Sequence, residues 1–110
     1  MNDRLQSLLD LLSDSPGEPF LLFAIAKEYE KRQADEQALQ YYNQLRRESP
    51  DYVGLYYHLG KLLERIQHPD AALQAYDQGI AIAQQLNNRH AWSELREARL
   101  ALADDPNDEI

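Results

Sequence analysis

The chain repeats itself with a period of 34 residues, and this repeat limits most strongly what it can fold into. When the sequence is shifted by 34, residues 20–48 align with residues 54–82. Nine of the aligned pairs are identical, against roughly two expected by chance. A period of this length fits a unit of two helices, and such a unit buries its apolar face only by stacking on a neighbour.

The apolar pattern supports helices throughout. Apolar residues recur at i, i+3, i+4 and i+7 between the prolines, and no segment of useful length alternates with period two. Pro19 and Pro69 suit first-turn positions, and Asp51 is placed to cap the fourth helix. The sequence predicts an all-α protein with about six helices, at residues 3–13, 19–33, 35–48, 52–67, 69–86 and 88–103.

Matching positions of the two units also agree in residue type. The first unit has Leu22, Ile25, Ala26, Tyr29, Ala38, Tyr42, Leu45 and Pro50. The second unit has Tyr56, Leu59, Gly60, Leu63, Ala72, Tyr76, Gly79 and Gln84. This pattern resembles the tetratricopeptide repeat, although Gln33 and Gln67 stand where a glycine is usual between the helices.

The resemblance implies an antiparallel helix-hairpin array that forms a right-handed α-solenoid. Residues 1–103 would be one domain, and its parts are an N-terminal capping helix and turn (3–18), the first repeat (19–52), the second repeat (53–86) and a C-terminal solvating helix (88–103). Residues 104–110 carry four acidic side chains and almost no apolar surface, which predicts a disordered acidic tail.

Charge and composition exclude several classes of protein. The net charge is −8 and cysteine is absent, so a nucleic-acid binder, a disulfide framework and a thiolate site are not expected. The longest apolar run, residues 20–26, is far shorter than the ~20 residues of a membrane span. No targeting signal is visible, and we expect a cytoplasmic protein that does not bind membranes.

The sequence has no catalytic or metal-binding motif. The three histidines, His58, His68 and His90, are scattered, and no pair has the spacing of metal ligands. We therefore expect no enzyme activity, no cofactor and no metal. His68 precedes a proline in a turn and is interpreted as structural, whereas His58 and His90 lie on helices that could line a groove.

In tetratricopeptide arrays the first helix of each unit lines the concave surface, and this resemblance implies a binding groove here. The concave positions of the two units carry an aromatic residue, a lysine, a glutamate and a second base in the same order. The candidate partner-binding residues are Phe20, Phe23, Lys27, Lys31, Tyr57, His58, Lys61, Arg65 and His90. Segments 20–33, 53–68 and 88–103 each have a net charge of +1, so the inner helices are mildly basic in an acidic chain.

A solvated face is the alternative interpretation of this stripe. Lys27 with Glu30, and Lys61 with Glu64, would form i, i+3 pairs that stabilise a helix by ~0.2–0.5 kcal/mol each. The pairs Lys27/Lys31 and Lys61/Arg65 are like charges at i, i+4 and cost about as much. Helix stability gains little from the pattern, which favours a binding groove.

The sequence thus predicts a non-catalytic module that binds a peptide or protein segment in its groove. Neighbouring helices would bring Lys27 and Lys61 close enough to share one carboxylate beside Phe23 and Tyr57, which predicts an acidic and hydrophobic ligand. The carboxylate clamp of chaperone-binding relatives is not matched, because Phe23, Lys27 and His58 stand at its positions. The alternative is a self-assembling structural module, packed end to end or with its tail in a groove, and the oligomeric state is expected to be a monomer or a weak homodimer.

Overall fold

Six α-helices joined by short turns make up the fold. The computed structural model describes residues 3–103. The helices are α1 (Arg4–Asp14), α2 (Pro19–Lys31), α3 (Asp35–Glu48), α4 (Gly54–Arg65), α5 (Pro69–Gln85) and α6 (Arg89–Ala103). No strand occurs within residues 3–103, and the predicted all-α class and number of helices are confirmed.

The helices belong to two compact units, which divide between Tyr52 and Val53. In the first unit, α2 packs against α3 and α1 packs against α2. In the second unit, α4 packs against α5, and α6 packs against α5 and α4. The domain bounds assigned from the sequence stay a prediction, and the acidic tail at 104–110 lies outside the described residues.

Two helix starts follow the sequence signals and one does not. Pro19 and Pro69 are the first residues of α2 and α5, as predicted. The prediction that Asp51 caps the fourth helix is wrong: α4 begins at Gly54, after Val53, without a side-chain cap. Residues 49–52 form a turn closed by a hydrogen bond from the Tyr52 amide to the Ser49 carbonyl (3.0 Å), which places Asp51 too far ahead of the helix.

Helices α2, α4 and α5 all end with a residue in the left-handed backbone region. The three residues are Gln33 (φ 61°), Gln67 (φ 68°) and Asn87 (φ 55°). At the first of them, the Gln33 amide donates to the Glu30 carbonyl and the Ala34 amide donates to the Tyr29 carbonyl, both at 2.9 Å. This is the Schellman arrangement, usually built with glycine. It ends α2 and α4 two residues before the predicted bounds of 33 and 67.

Glycines and large side chains interlock inside the second unit. A Cβ at Gly60 of α4 would overlap the ring of Tyr76 of α5. A Cβ at Gly79 would lie 2.5 Å from the Cβ of Tyr56 and 2.9 Å from Leu95 of α6. The two glycines therefore let α5 pack closely against both helices.

In the first unit, α1 is held on α2 by a cluster of aliphatic and aromatic side chains. Leu8 is 7% exposed and Ile25 is fully buried. Around Leu8, Ala24 and Ile25 pack the half-buried side chains of Leu5, Leu9, Leu12, Leu21, Tyr29 and Tyr41. The first helix is thus part of the core of its unit.

Candidate peptide-binding surfaces

The four site residues predicted in the first repeat all lie on α2 and line one groove. We call Phe20, Phe23, Lys27 and Lys31 the α2 surface. The groove has a volume of about 360 Å³ and is completed by Arg4, Ala24 and Glu28. Three of its side chains are basic, and two are phenylalanines.

Within the α2 surface, one aromatic ring is fixed and the other is open. The Phe23 ring packs against Tyr42 (ring centroids 6.3 Å apart) and Tyr52 (5.4 Å). The Lys27 ammonium lies 5.6 Å from the centroid of the same ring, a distance at which a cation is attracted to the ring face. Phe20 is 60% exposed and offers its apolar side chain to a ligand.

The Glu28 carboxylate is buried in the wall of this groove and was missed by sequence reasoning. Its residue is 7% exposed, and its oxygens lie 3.5 Å from Arg4 and 3.5 Å from Arg32. Arg32 also binds Asp3, and the Arg32 hydrogen bond lowers the pKa of the Asp3 carboxyl. Because two arginines face Glu28, its charge is compensated and the groove keeps a basic character.

The second repeat carries the corresponding side chains on α4, and we call Tyr57, His58, Lys61 and Arg65 the α4 surface. The Lys61 ammonium lies 5.6 Å from the centroid of the Tyr57 ring, the same distance as in the first repeat. The His58 ring stands edge-on to Tyr57 with centroids 5.6 Å apart. The aromatic–lysine pair therefore recurs with one geometry.

The glutamates of the stripe have a structural role. The Tyr42 hydroxyl donates to the Glu30 carboxylate at 2.5 Å, and the Tyr76 hydroxyl donates to Glu64. Glu64 also lies 3.9 Å from the Lys61 ammonium. Both glutamates are half-buried and hold the two helices of their hairpin together.

His90 is the predicted site residue on α6. Its side chain is 90% exposed, and its imidazole lies 4.0 Å from the Glu94 carboxylate. This neighbour is on α6 itself, so the contact does not connect His90 to the α4 surface. The assignment of His90 to a binding site stays a prediction.

A second groove, which the sequence did not indicate, lies in the second unit where α5 turns into α6. It has a volume of about 560 Å³ and is lined by Ala83, Gln84, Asn87, Asn88, Arg89, Trp92 and Ser93. The Arg96 guanidinium lies 4.7 Å from the centroid of the Trp92 ring. A helix wheel drawn with these two residues on one side is the only sequence signal that could have pointed to it.

Features of metal sites and of membrane spans were also sought among residues 3–103. No cluster of three or more histidine, cysteine or carboxylate side chains there is arranged to bind a metal ion. No helix in that range is long and apolar enough to span a bilayer.

Comparison with solved structures gives close matches. A tetratricopeptide repeat domain protein from Salinibacter ruber is 41% identical, with a TM-score of 0.76 over 79% of this chain and 88% of that chain. A protein from Bordetella parapertussis is 25% identical, with a TM-score of 0.84 over 99% of this chain and 95% of that one. The TPR2B domain of yeast Sti1, solved in complex with pHsp70, is 14% identical with a TM-score of 0.83 over 90% of this chain and 79% of that chain, which is a likeness of fold alone. No family model and no curated protein matches the chain.

Proposed function

We propose that this chain, which belongs to the tetratricopeptide repeat family, is a non-catalytic module that binds a peptide or protein segment on its α2 and α4 surfaces. The observation that carries the proposal is the repeated pair of an aromatic ring and a lysine, Phe23 with Lys27 and Tyr57 with Lys61, each at 5.6 Å. Both lysines are exposed, although the chain as a whole has a net charge of −8.

The chemistry of the pairs favours an acidic ligand with an apolar group. The lysine already lies over the ring, so the ring is not open to a cation of the ligand on that side. The ammonium keeps its remaining hydrogen-bond donors for a carboxylate, and Phe20 adds exposed apolar area on α2. An extended or helical segment with an acidic residue next to an aliphatic or aromatic one fits these surfaces.

The affinity is expected to be modest. An exposed ion pair contributes ~0–1 kcal/mol, and an exposed cation–π contact contributes about 0.5–1 kcal/mol. With partial burial of two or three aromatic side chains, these terms correspond to a dissociation constant on the order of micromolar.

A protein partner is also consistent with the Sti1 structure, in which a domain of the same fold is bound to pHsp70. The residues at the clamp positions of chaperone-binding relatives differ here, since Phe23, Lys27 and His58 stand in their place. We therefore propose a ligand recognised by aromatic–lysine pairs rather than by a carboxylate clamp.

A titration followed by NMR tests this proposal. Three hydrophobic peptides of equal length, acidic, neutral and basic, are added to the ¹⁵N-labelled chain at low and high salt. We expect the acidic peptide to shift the amides around Lys27 and Lys61, and to do so less at high salt. Preference for the basic peptide, or shifts confined to α3 and α5, would contradict the proposal.

Charge reversal provides the matched control. Lys27→Glu and Lys61→Glu should each weaken binding of the acidic peptide several-fold. Arg47→Glu makes the same charge change at an exposed position of α3 and should leave binding nearly unchanged. An equal effect of all three variants would show that only net charge matters.

A further inference from the structure

We propose that α6 of one copy packs against α1 of a second copy, so that the two helices form a helix hairpin between molecules. This inference goes beyond peptide binding and concerns different surfaces. It is based on one side of α6 and one side of α1, each described within its own unit, and on the match between them in shape and charge.

The open side of α6 is the side on which a first helix receives its partner. In the α4–α5 hairpin, Tyr56 packs at Gly79, and Gly60 packs against Tyr76. The family pattern places Trp92 in α6 where α4 has Tyr56. No helix follows α6 within residues 3–103, so this side has no second helix there.

The groove of about 560 Å³ between α5 and α6 lies on that side of α6. Trp92 is half-buried and lines it together with the exposed Arg89. The Arg96 guanidinium is held 4.7 Å from the Trp92 ring. The side is thus aromatic and basic, and a complementary occupant would be aliphatic and acidic.

The exposed side of α1 has that chemistry. By the 34-residue period, α1 stands in the place of a second helix, with Leu11 corresponding to Leu45 of α3. Leu45 is fully buried in its unit, whereas Leu11 is 54% exposed. Asp10 and Asp14 are exposed beside it, so this side of α1 presents a leucine among carboxylates.

The register of the α4–α5 hairpin predicts which residues meet. The period places Leu11 where Gly79 stands in α5, so the contact of Tyr56 with Gly79 becomes a contact of Trp92 with Leu11. Because the helices of a hairpin are antiparallel, three residues back along α6 means three residues forward along α1. Arg89 then faces Asp14, an attraction between opposite charges that places both helices in register.

Such an interface is heterologous, since each copy uses α1 on one side and α6 on the other. It leaves one open α1 and one open α6 after every addition, so association does not stop at a dimer. A contact of one helix on each side is small, and we expect a dissociation constant on the order of 10⁻⁴ M.

Sedimentation equilibrium of the full chain from about 10 µM to 1 mM tests the interface, a range chosen to bracket the expected constant. The average mass should rise with concentration and pass that of a dimer. Leu11→Glu and Arg89→Glu should each weaken association at least about tenfold, which corresponds to 1.4 kcal/mol. Arg47→Glu, outside both sides, should associate like the wild type, and thermal melts at low concentration should show that the variants fold.

A mixture of the two variants gives the sharpest readout. Leu11→Glu keeps an intact α6 and Arg89→Glu keeps an intact α1, so the mixture should form a dimer that grows no further. Trp92, the one tryptophan of the sequence, should change its fluorescence on mixing. A wild type that stays monomeric at 1 mM, or a mixture no better than either variant alone, would overturn the proposal. So would association that appears only after deletion of residues 104–110, since the chain's own tail would then be the occupant.

Discussion

The hydroxyl of Tyr42 on α3 donates a hydrogen bond of 2.5 Å to the carboxylate of Glu30 on α2. The second repeat has the same bond from Tyr76 to Glu64, 34 residues later. Both tyrosines are fully buried, so each hairpin has a charged acceptor that reaches a phenol inside the core. These bonds explain why the glutamates repeat without serving as ligand contacts.

The contribution of this bond can be measured by removing one oxygen. Tyr76→Phe keeps the ring against Gly60 and should lower the free energy of unfolding by about 1–3 kcal/mol, because the bond goes to a charged acceptor. Tyr76→Ala should cost roughly 3–5 kcal/mol, since it also leaves a cavity. Urea denaturation of both variants checks this. A Tyr76→Phe curve that coincides with the wild type would mean that the bond contributes nothing.

The same tyrosine predicts how stability changes at alkaline pH. Burial, followed by the hydrogen bond to Glu64, raises the pKa of Tyr76 above its usual range. Above pH ~10 the unfolded chain loses the tyrosine proton that the folded chain retains, so stability falls as the pH rises. Tyr76→Phe should reduce this fall by about 1.4 kcal/mol per pH unit. Parallel pH profiles of the two proteins between pH 9 and 11 would contradict the assignment.

The left-handed residues at the helix ends predict a stabilising substitution. An L-residue in this conformation is strained by about 1–2 kcal/mol relative to glycine. Gln33→Gly should therefore raise the free energy of unfolding by up to about 1 kcal/mol, after the greater entropy of glycine in the unfolded chain is subtracted. Gln37→Gly, within α3, is the matched control and should be destabilising by about 1 kcal/mol. Thermal melts of the two variants that shift in the same direction would argue against the left-handed conformation of Gln33.

How far the sequence predicts this fold depends on which residues are considered. The periodicity predicts all six helices, because apolar spacing is set by the same packing that stabilises them. The ends at Gln33 and Gln67 could not be derived from residue type, since glutamine favours helix interiors. Their place in the repeat was the only indication.

The candidate site divides in the same way. Phe20, Phe23, Lys27 and Lys31 follow from the helical spacing and line one groove. Glu28 could not be recognised as buried, because the arginines that compensate it come from α1 and from the end of α2. Trp92 was assigned to a packing position, and only the structure shows that its side of α6 is a groove.

The glycines of the second hairpin predict a contrast between two alanine substitutions. Gly60→Ala would place a methyl group in the ring of Tyr76 and should cost about 1–3 kcal/mol by overpacking. Gly54→Ala, at the exposed first residue of α4, should be neutral or slightly stabilising, because alanine favours helix. Urea denaturation curves compare the two variants. Equal effects would mean that α4 and α5 do not approach as closely as described.

The packing of α1 predicts a large effect at Leu8 and a small one at Leu11. Leu8 is 7% exposed and belongs to the core of the first unit, whereas Leu11 is 54% exposed. Leu8→Ala should lower the free energy of unfolding by about 2–4 kcal/mol. Leu11→Ala should change it by less than about 1 kcal/mol at low protein concentration. A thermal melt of Leu8→Ala that superimposes on the wild type would refute a capping role for α1.

The most direct test of the proposed binding surfaces is isothermal titration calorimetry with two matched peptides, one carrying glutamates and one carrying lysines around the same hydrophobic residues. The wild type should bind the acidic peptide, and the double variant Lys27→Glu/Lys61→Glu should bind the basic peptide in preference. This exchange of specificity is expected because the same aromatic residues remain beside charges of opposite sign. If the double variant still prefers the acidic peptide, or if the wild type binds neither, the aromatic–lysine pairs do not select the ligand.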